Sequence, residues 1–415
     1  MLKIILKNLW SRRNYNLWLF LELVLVTVIA WIVIDPIVSL LQCRSLPLGY
    51  DAERLCRIEL VEDMSEETSD MLSSEDAVQI IVDRLRGMGE VESVTLEDMP
   101  SCLGNPGIWQ GEYSSKRFPD VSACSYQLFF KKGCNYFETY GIKSLSGSPS
   151  PEQLSESLDT QNGVVMTRSL AIALFGTDRV VGDSILNINQ ENGSYERIVG
   201  VVEDVRVHSF SDVATVLFHS GFYPMRELPY IVVRLRDGID LWGFSERLST
   251  VSAKEFCVGR LLVRSVSPYP DLARKTDYQV GVTNQTRLNV ALAIFFMVSL
   301  CLGVVGTFWF QTRRRKEEIF IMRSFGATKQ GIVSMLMCEG FVMTTLAVFI
   351  GCMAFLQYAR KEGLPSTDSI LWEEGYFVDS WLADFALHFI AVSFIVYAVL
   401  LLVVCLGIYI PARRA

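Results

Sequence analysis

Residues 288–310 read LNVALAIFFMVSLCLGVVGTFWF, 23 residues without one charged side chain. A bilayer core of about 30 Å is crossed by roughly 20 apolar residues in a helix. A buried helix of a soluble protein keeps a polar face over such a length. This stretch has none, so it reads as a membrane span. Three further stretches meet the same test: Leu17 to Ile34 with one acid, Glu22; Gly331 to Leu356 with one acid, Glu339; and Phe385 to Ile410, uncharged, with His388 near its start. Composition agrees. Half of the 415 residues are hydrophobic, 20% are charged, and the mean hydropathy is positive. Soluble chains carry about 25% charged residues.

Charge sets the sidedness of the loops. Lys3, Lys7, Arg12 and Arg13 precede the first span with no acid among them. Arg313 to Lys316, Arg323 and Lys329 lie between the second and third, and Arg413 and Arg414 follow the fourth. The positive-inside rule places all three clusters in the cytoplasm. Residues 35–287 hold 24 basic and 36 acidic residues, and 357–384 hold two and six. Both fall outside. The expected order is therefore a cytoplasmic N-terminal segment (1–16), span 17–34, an extracytoplasmic domain (35–287), span 288–310, a cytoplasmic loop (311–330), span 331–356, a short outer loop (357–384), span 385–410 and a cytoplasmic end (411–415). No A-x-A-like cleavage site follows the first span before Pro36, so it reads as an uncleaved anchor. Leu2, Ile5, Leu6 and Leu9 share one helical face. That segment either lies along the membrane surface or extends the first span.

The outer segment reads as an α+β domain. Arg54 to Val61 reads as a strand, Val78 to Leu85 as an amphipathic helix stopped near Gly87 and Gly89, and Val91 to Leu96 as a strand. Asn162 to Gly176 reads as strand, turn and helix, with Thr167 at the N-cap position. Ser184 to Asn189 and Tyr195 to Val207 read as paired strands around Asn192-Gly193. Pro229 to Arg236 and Arg260 to Ser265 are further strands, and Leu241 to Val251 a helix. Six of the ten cysteines lie outside, in a compartment that permits disulfides if it is oxidising, but their spacing fixes no pairing.

Several chemistries lack their residues. No Gly-Lys pair occurs, so the usual phosphate-cradling loop cannot form. The three histidines have no zinc-ligand spacing, and there is no G-x-S-x-G. Glu203-Asp204 reads as surface charge. No basic excess supports nucleic-acid binding. Glu22 and Glu339 are the acids inside spans, read as structural bonds between spans in preference to a proton relay.

The cytoplasmic loop reads RRRKEEIFIMRSFGATKQG over 313–331. Its first half favours helix, Gly326 suits the position after a helix, and Thr328 suits an N-cap. Ile319, Met322 and Phe325 would form an apolar strip. The segment resembles the cytoplasmic motif R-R-x-E-I-G-I-R-R-A-L-G-A-[ST] of FtsX/MacB-like ABC transporter permeases. Glu318, Ile319, Ile321, Arg323, Gly326 and Ala327 match, while Phe320 and Met322 depart from it. NYFETYGIKSLSGSPS (135–150), NGVVMTRSLAIALFG (162–176) and IVGVVEDVRVHSF (198–210) resemble the MacB-like periplasmic core domain. The ending YIPARRA resembles that family's exit from its last span.

The resemblance implies a permease subunit of a mechanotransmission-type transporter in the bacterial inner membrane. It has no cofactor of its own, and ATP is bound by a separate ATPase. Glu318, Ile319, Met322, Arg323, Gly326 and Ala327 would couple the two. Implied partners are that ATPase, a second permease subunit, identical or not, membrane lipid, and in efflux systems a periplasmic adaptor and outer-membrane channel. Members export peptides or antibiotics, extract lipoproteins, or switch on cell-wall hydrolases. An FtsX-like regulator with no transported substrate and a membrane-anchored binding protein without an ATPase are the alternatives. The charge pattern predicts that an impermeant thiol reagent applied to intact cells labels cysteines introduced near Ser150 and Ser366. Labelling of Lys329→Cys under the same conditions would contradict the sidedness.

Overall fold

A computed structural model of the chain describes residues 13–63, 73–97, 109–131, 134–160, 163–189, 195–211, 213–220, 228–314, 320–321, 324–326, 328–364 and 385–414. The N-terminal amphipathic segment and the Asn192-Gly193 turn lie outside the described residues. The chain divides into a unit of long helices and an outer unit, Cys43–Val282 with a short later piece.

Four helices are long and apolar enough to cross a membrane: α1 (Arg13–Ser45), α8 (Val282–Arg314), α9 (Lys329–Glu362) and α10 (Phe385–Arg414). At 33 residues α1 is about 50 Å long, well beyond the hydrocarbon core. It outruns the apolar stretch because Asp35 and Pro36 do not end it. On α10, Val392, Val396, Leu400, Val403, Val404 and Ile408 recur at three- and four-residue steps and are buried. They pack with Leu19, Leu23 and Trp31 of α1 and with Leu336, Met343, Ala347 and Phe355 of α9. From α8 only Leu300 is buried in this cluster, among the described residues.

The outer unit has two sheets. The first is antiparallel, in the order β10-β1-β9-β2, formed by Leu261–Pro268, Leu55–Glu62, Tyr230–Leu235 and Val91–Glu97. The unit β1-α2-β2 therefore does not pair its own strands: β9 lies between them. Helix α2 (Ser74–Arg86) is capped by Ser73, which accepts from the Asp76 amide, and buries Val78, Ile81, Val82 and Leu85. Those side chains join Leu241, Phe244 and Leu248 of α6 (Leu241–Glu255) over one face of the sheet.

The second sheet closes on itself in the order β3-β4-β8-β5-β7-β6. Its strands are Trp109–Ser115, Ser122–Phe130, Val216–Ser220, Gly163–Thr167, Glu196–Val202 and Ser184–Asn187. The closed form, its strands β3 and β4, and the parallel pairs β4–β8 and β5–β7 were not anticipated. In β5 all five residues are buried. Alternation explains this: Val164 and Met166 enter one core and Val165 the other. Helix α5 (Arg168–Phe175) adds Leu170, Ala171 and Leu174 to the first of these cores. The second core holds Tyr136, Phe137 and Tyr140 of α3 (Tyr136–Tyr140) and Tyr269 of α7 (Tyr269–Gln279). Helix α4 (Pro151–Thr160) adds Leu154 to it. All nine described cysteines are free thiols, and burial pushes the Cys56 thiol up to about 12.

Two buried imidazoles give this domain an acid limit. His208 stacks on Phe210 at 4.8 Å, and His219 on Phe129 at 5.2 Å. Burial lowers both from 6.5 to about 4, and for His219 it outweighs Glu196 at 3.7 Å. The unfolded chain thus binds protons at higher pH than the folded one. Their stabilising contribution, about 3 kcal/mol each, is complete above pH 6.5 and is lost as pH falls toward 4. Glu196, raised by burial, opposes this at the acid end. Unfolding followed between these limits should show stability rising with pH, with a shallower slope in His219→Gln.

Candidate functional site

The break between α8 and α9 is the first candidate. Phe325 N–H donates to the Ile321 carbonyl at 3.0 Å, and Ser324 Oγ to the Phe320 carbonyl at 3.0 Å, so these residues form a helical turn. Gly326 ends it at φ +91°, a conformation that disfavours a side chain. Thr328 then caps α9 by accepting from the Gly331 amide at 3.1 Å. Phe320 is 72% exposed and Phe325 88% exposed. Glu318, Ile319, Met322, Arg323 and Ala327 lie outside the described residues.

The charged and polar groups of the spans are the second candidate. Glu22 is half-buried, and its carboxylate lies against Gly303 of α8, where an added Cβ would come within 2.3 Å of Oε1. Glu339 is buried on α9. The two acids lie on different helices, and no hydrogen bond between them is observed among the described residues. A third acid was missed by the sequence reading. Asp35 of α1 is fully buried, and its Oδ1 lies 2.5 Å from Nε2 of fully buried His388 on α10. Trp31, one helical turn before Asp35, stacks between Phe355 and Phe389 at 4.6 and 4.8 Å and donates Nε1–H to Ser393 Oγ at 3.3 Å. The legible signal was the apolar run Ile37, Val38, Leu40 and Leu41, which continues the helix past Asp35.

In the outer domain, the segment 198–210 carries a buried arginine and a capping aspartate. Arg206 is 1% exposed. Its guanidinium donates to the carbonyls of Leu46, Ser209 and Ser211 at 2.7–3.0 Å, and its amide to Leu48 at 2.9 Å. It ties the chain leaving α1 to the loop after β7. Asp277 of α7 adds to this anchor through Arg44 at 3.0 Å and Ser209 at 2.5 Å. Asp204 is not idle surface charge: Oδ1 accepts from the Ser169 amide at 2.8 Å. It caps α5, while Thr167 makes no capping bond and turns its hydroxyl to the Val216 backbone instead. Among the described residues no three His, Cys, Asp or Glu side chains gather as a metal site.

Four membrane-length helices with a large mixed α/β domain between the first and second define a polytopic membrane protein of permease architecture. Residues 290–415 match the family described as FtsX-like permease C-terminal, and residues 60–251 the MacB-like periplasmic core domain. The chain belongs to the FtsX/MacB-like permease family, whose members work in ABC-transporter-like systems. Solved structures similar to it include a permease-protein domain from Porphyromonas gingivalis (16% identity, 53% of this chain and 92% of that one, TM-score 0.32). Another is the periplasmic region of MacB from Actinobacillus actinomycetemcomitans (13%, 55% and 94%, TM-score 0.32). A third is the extracellular domain of the noncanonic ABC-type transporter YknZ from Gram-positive bacteria (12%, 50% and 100%, TM-score 0.29). No curated protein matches the sequence.

Replacing Arg206 by Met keeps the bulk but leaves several buried carbonyls without their donor. The expected loss is about 3 kcal/mol, since hydrogen bonds to charged groups are each worth about 1.5–3 kcal/mol. Thermal unfolding of the full chain, with proteolysis of the 205–211 loop as a local readout, checks it.

Proposed function

We propose that this chain is the membrane subunit of a mechanotransmission-type ABC transporter. A separate ATPase docks on the loop around 313–331. Its closure moves the helices, and the movement is delivered to the outer domain. The work is export, of the peptide, antibiotic or lipoprotein class, carried out on substrate already outside the membrane. The chain sits in the bacterial inner membrane with both termini in the cytoplasm and pairs with a second permease subunit. An adaptor and outer-membrane channel complete the system where the outer membrane must be crossed.

The observation that carries this reading is the exposed turn at Phe320, Ile321 and Phe325, closed by Gly326. Large apolar side chains beside a cluster of arginines suit a groove on a soluble partner better than open water. A rigid turn also transmits a push without absorbing it. Few charged groups in the spans agree with work done outside the membrane instead of through a polar pore.

The test is co-purification of the ATPase encoded beside the permease gene. Gly326→Val should disturb the turn, since a non-glycine side chain at positive φ costs about 1–3 kcal/mol. Arg323→Glu should weaken docking about tenfold, or about 1.4 kcal/mol. Membrane abundance should be unchanged in both, because Arg313 to Lys316 still satisfy the positive-inside rule. The purified permease alone should not hydrolyse ATP. If both variants retain the ATPase and full function, the loop is an anchor and the reading fails. ATPase-dependent activation of an outer hydrolase without substrate export would instead identify a regulator.

A further inference from the structure

We propose that the inside of the closed sheet ends in a binding site for a primary ammonium group, with the Glu196 carboxylate as its anion and a small amine on an apolar stem as its ligand. Val164, Ile185, Ile198 and Leu217 pack on one face of this sheet, and Tyr113 is buried among them. Side chains alternate along a strand. Asn187, Glu196 and His219, each two residues from a member of that core, therefore share its face. His219 Nε2 lies 3.4 Å from the Tyr113 hydroxyl, and Nδ1 lies 3.7 Å from Glu196 Oε1. In the strand order these approaches skip β4 and β5, so they cross the inside of the sheet instead of running along it. Asn187 donates from Nδ2 to the Tyr113 hydroxyl at 3.5 Å. Gly111 leaves the room for this convergence: an added Cβ would come within 2.4 Å of Gln127 Nε2 and 3.2 Å of Asn187 Nδ2. Polar groups from five strands thus meet above an apolar floor, the composition of a ligand site in the mouth of a barrel.

The charge in this cluster is unbalanced. Among the described residues, Glu196 has one ion-pair partner, His219. Burial lowers that imidazole to about 4, so at neutral pH it carries no charge to set against the carboxylate. Burial, with the charge of Glu196 as the second cause, raises Tyr113, which stays a protonated phenol. Burial also raises Glu196 itself. From β4 and β5 this face receives Gln127, Phe129 and Val164, none of them titratable. With the phenol donating to Nε2, the imidazole proton sits on Nδ1, on the side of Glu196. A separation of 3.7 Å is too long for a direct hydrogen bond between them. A partly desolvated carboxylate without a counter-ion gains more from an ammonium group than a hydrated one does. Exposure sets the direction of entry: Tyr113 is 1% exposed, the His219 side chain 15% and that of Glu196 37%. The anion is reachable from solvent, while the groups that orient it are not. The Phe129 ring, stacked on His219 at 5.2 Å, supplies apolar surface for the stem of the ligand. A metal ion fits less well, because His219 and Glu196 are two donors where a protein zinc site takes three or four.

The test uses the full chain in lipid nanodiscs at about pH 7.5, where an alkylamine is charged and His219 is neutral. The probes are n-butylamine, N-acetyl-lysine methylamide and, as the uncharged counterpart, n-butanol. The readout is the imidazole 15N signal of His219, identified by its loss in His219→Gln. The expected result is a saturable shift of that signal with n-butylamine, and none with n-butanol or with sodium chloride at equal ionic strength. An equal response to the lysine derivative assigns the site to peptide-borne ammonium groups, and a response to n-butylamine alone assigns it to free amines. Glu196→Gln, close in shape, should weaken binding about tenfold or more, since it removes the charge from the acceptor. Its His219 signal and thermal unfolding report that the domain is still folded. Absence of any shift with n-butylamine overturns the proposal. So does an equal shift with n-butanol or sodium chloride, or unchanged affinity in Glu196→Gln. The comparison of amine with alcohol needs no substitution. None of these measurements involves the ATPase, so their outcome is separate from that of the coupling proposed for residues 313–331.

Discussion

Lipid hydrocarbon offers no partner to a hydrogen-bonding group, and this constraint arranges the four long helices. Four spans satisfy their backbones internally as helices. Their few ionisable side chains are then forced to meet protein. Glu22 finds the backbone-wide gap at Gly303, Glu339 turns into the bundle, and Asp35 meets His388. None of these groups could face lipid without a large penalty. A hydrophobic side chain could sit at any of these positions at less risk. What Asp35 supplies is a polar contact between α1 and α10.

Outside the membrane the same need for partners is met by different means. Arg206 is buried as deeply as a core leucine, but surrounded by backbone carbonyls. Its planar donors hold two separate stretches of chain, Leu46 and the Ser209–Ser211 loop, in one geometry. Asp277 adds a carboxylate that meets Arg44 and Ser209. The last turn of α1 and the helix that precedes α8 are thereby joined to a single loop of the outer domain.

Helix α8 shows how the membrane alters the reading of exposure. Leu288, Ile294, Phe295, Val298 and Leu302 are exposed, and in water such a face would drive aggregation. In a bilayer it is wetted by lipid tails that are as apolar as leucine, so no packing partner within the chain is needed. The contrast is Phe320 and Phe325, which follow the Arg313–Lys316 cluster and so fall where headgroup and water begin. There the same exposure is unfavourable until something covers it.

The spans and the large outer domain were legible because they rest on local signals. Apolar length marks a helix in lipid, and charge runs mark its ends. Strands β1, β2 and β9 and helices α2 and α6 carry their own periodicity and could be read singly. Their arrangement could not, because the pairing of β9 between β1 and β2, or of β5 beside β7, is set by partners far along the chain. The same distinction explains Asp35. A charge lowers the hydropathy of any window that contains it, so the first span seemed to stop at Ile34. A helix, however, stops only where its backbone bonds cannot continue or its side chains cannot be satisfied. Pro36 forfeits one amide bond without stopping α1, and the carboxylate of Asp35 is satisfied by a histidine on the last helix. No local pattern around residue 35 contains that histidine. The end of the first span was therefore written in the fourth.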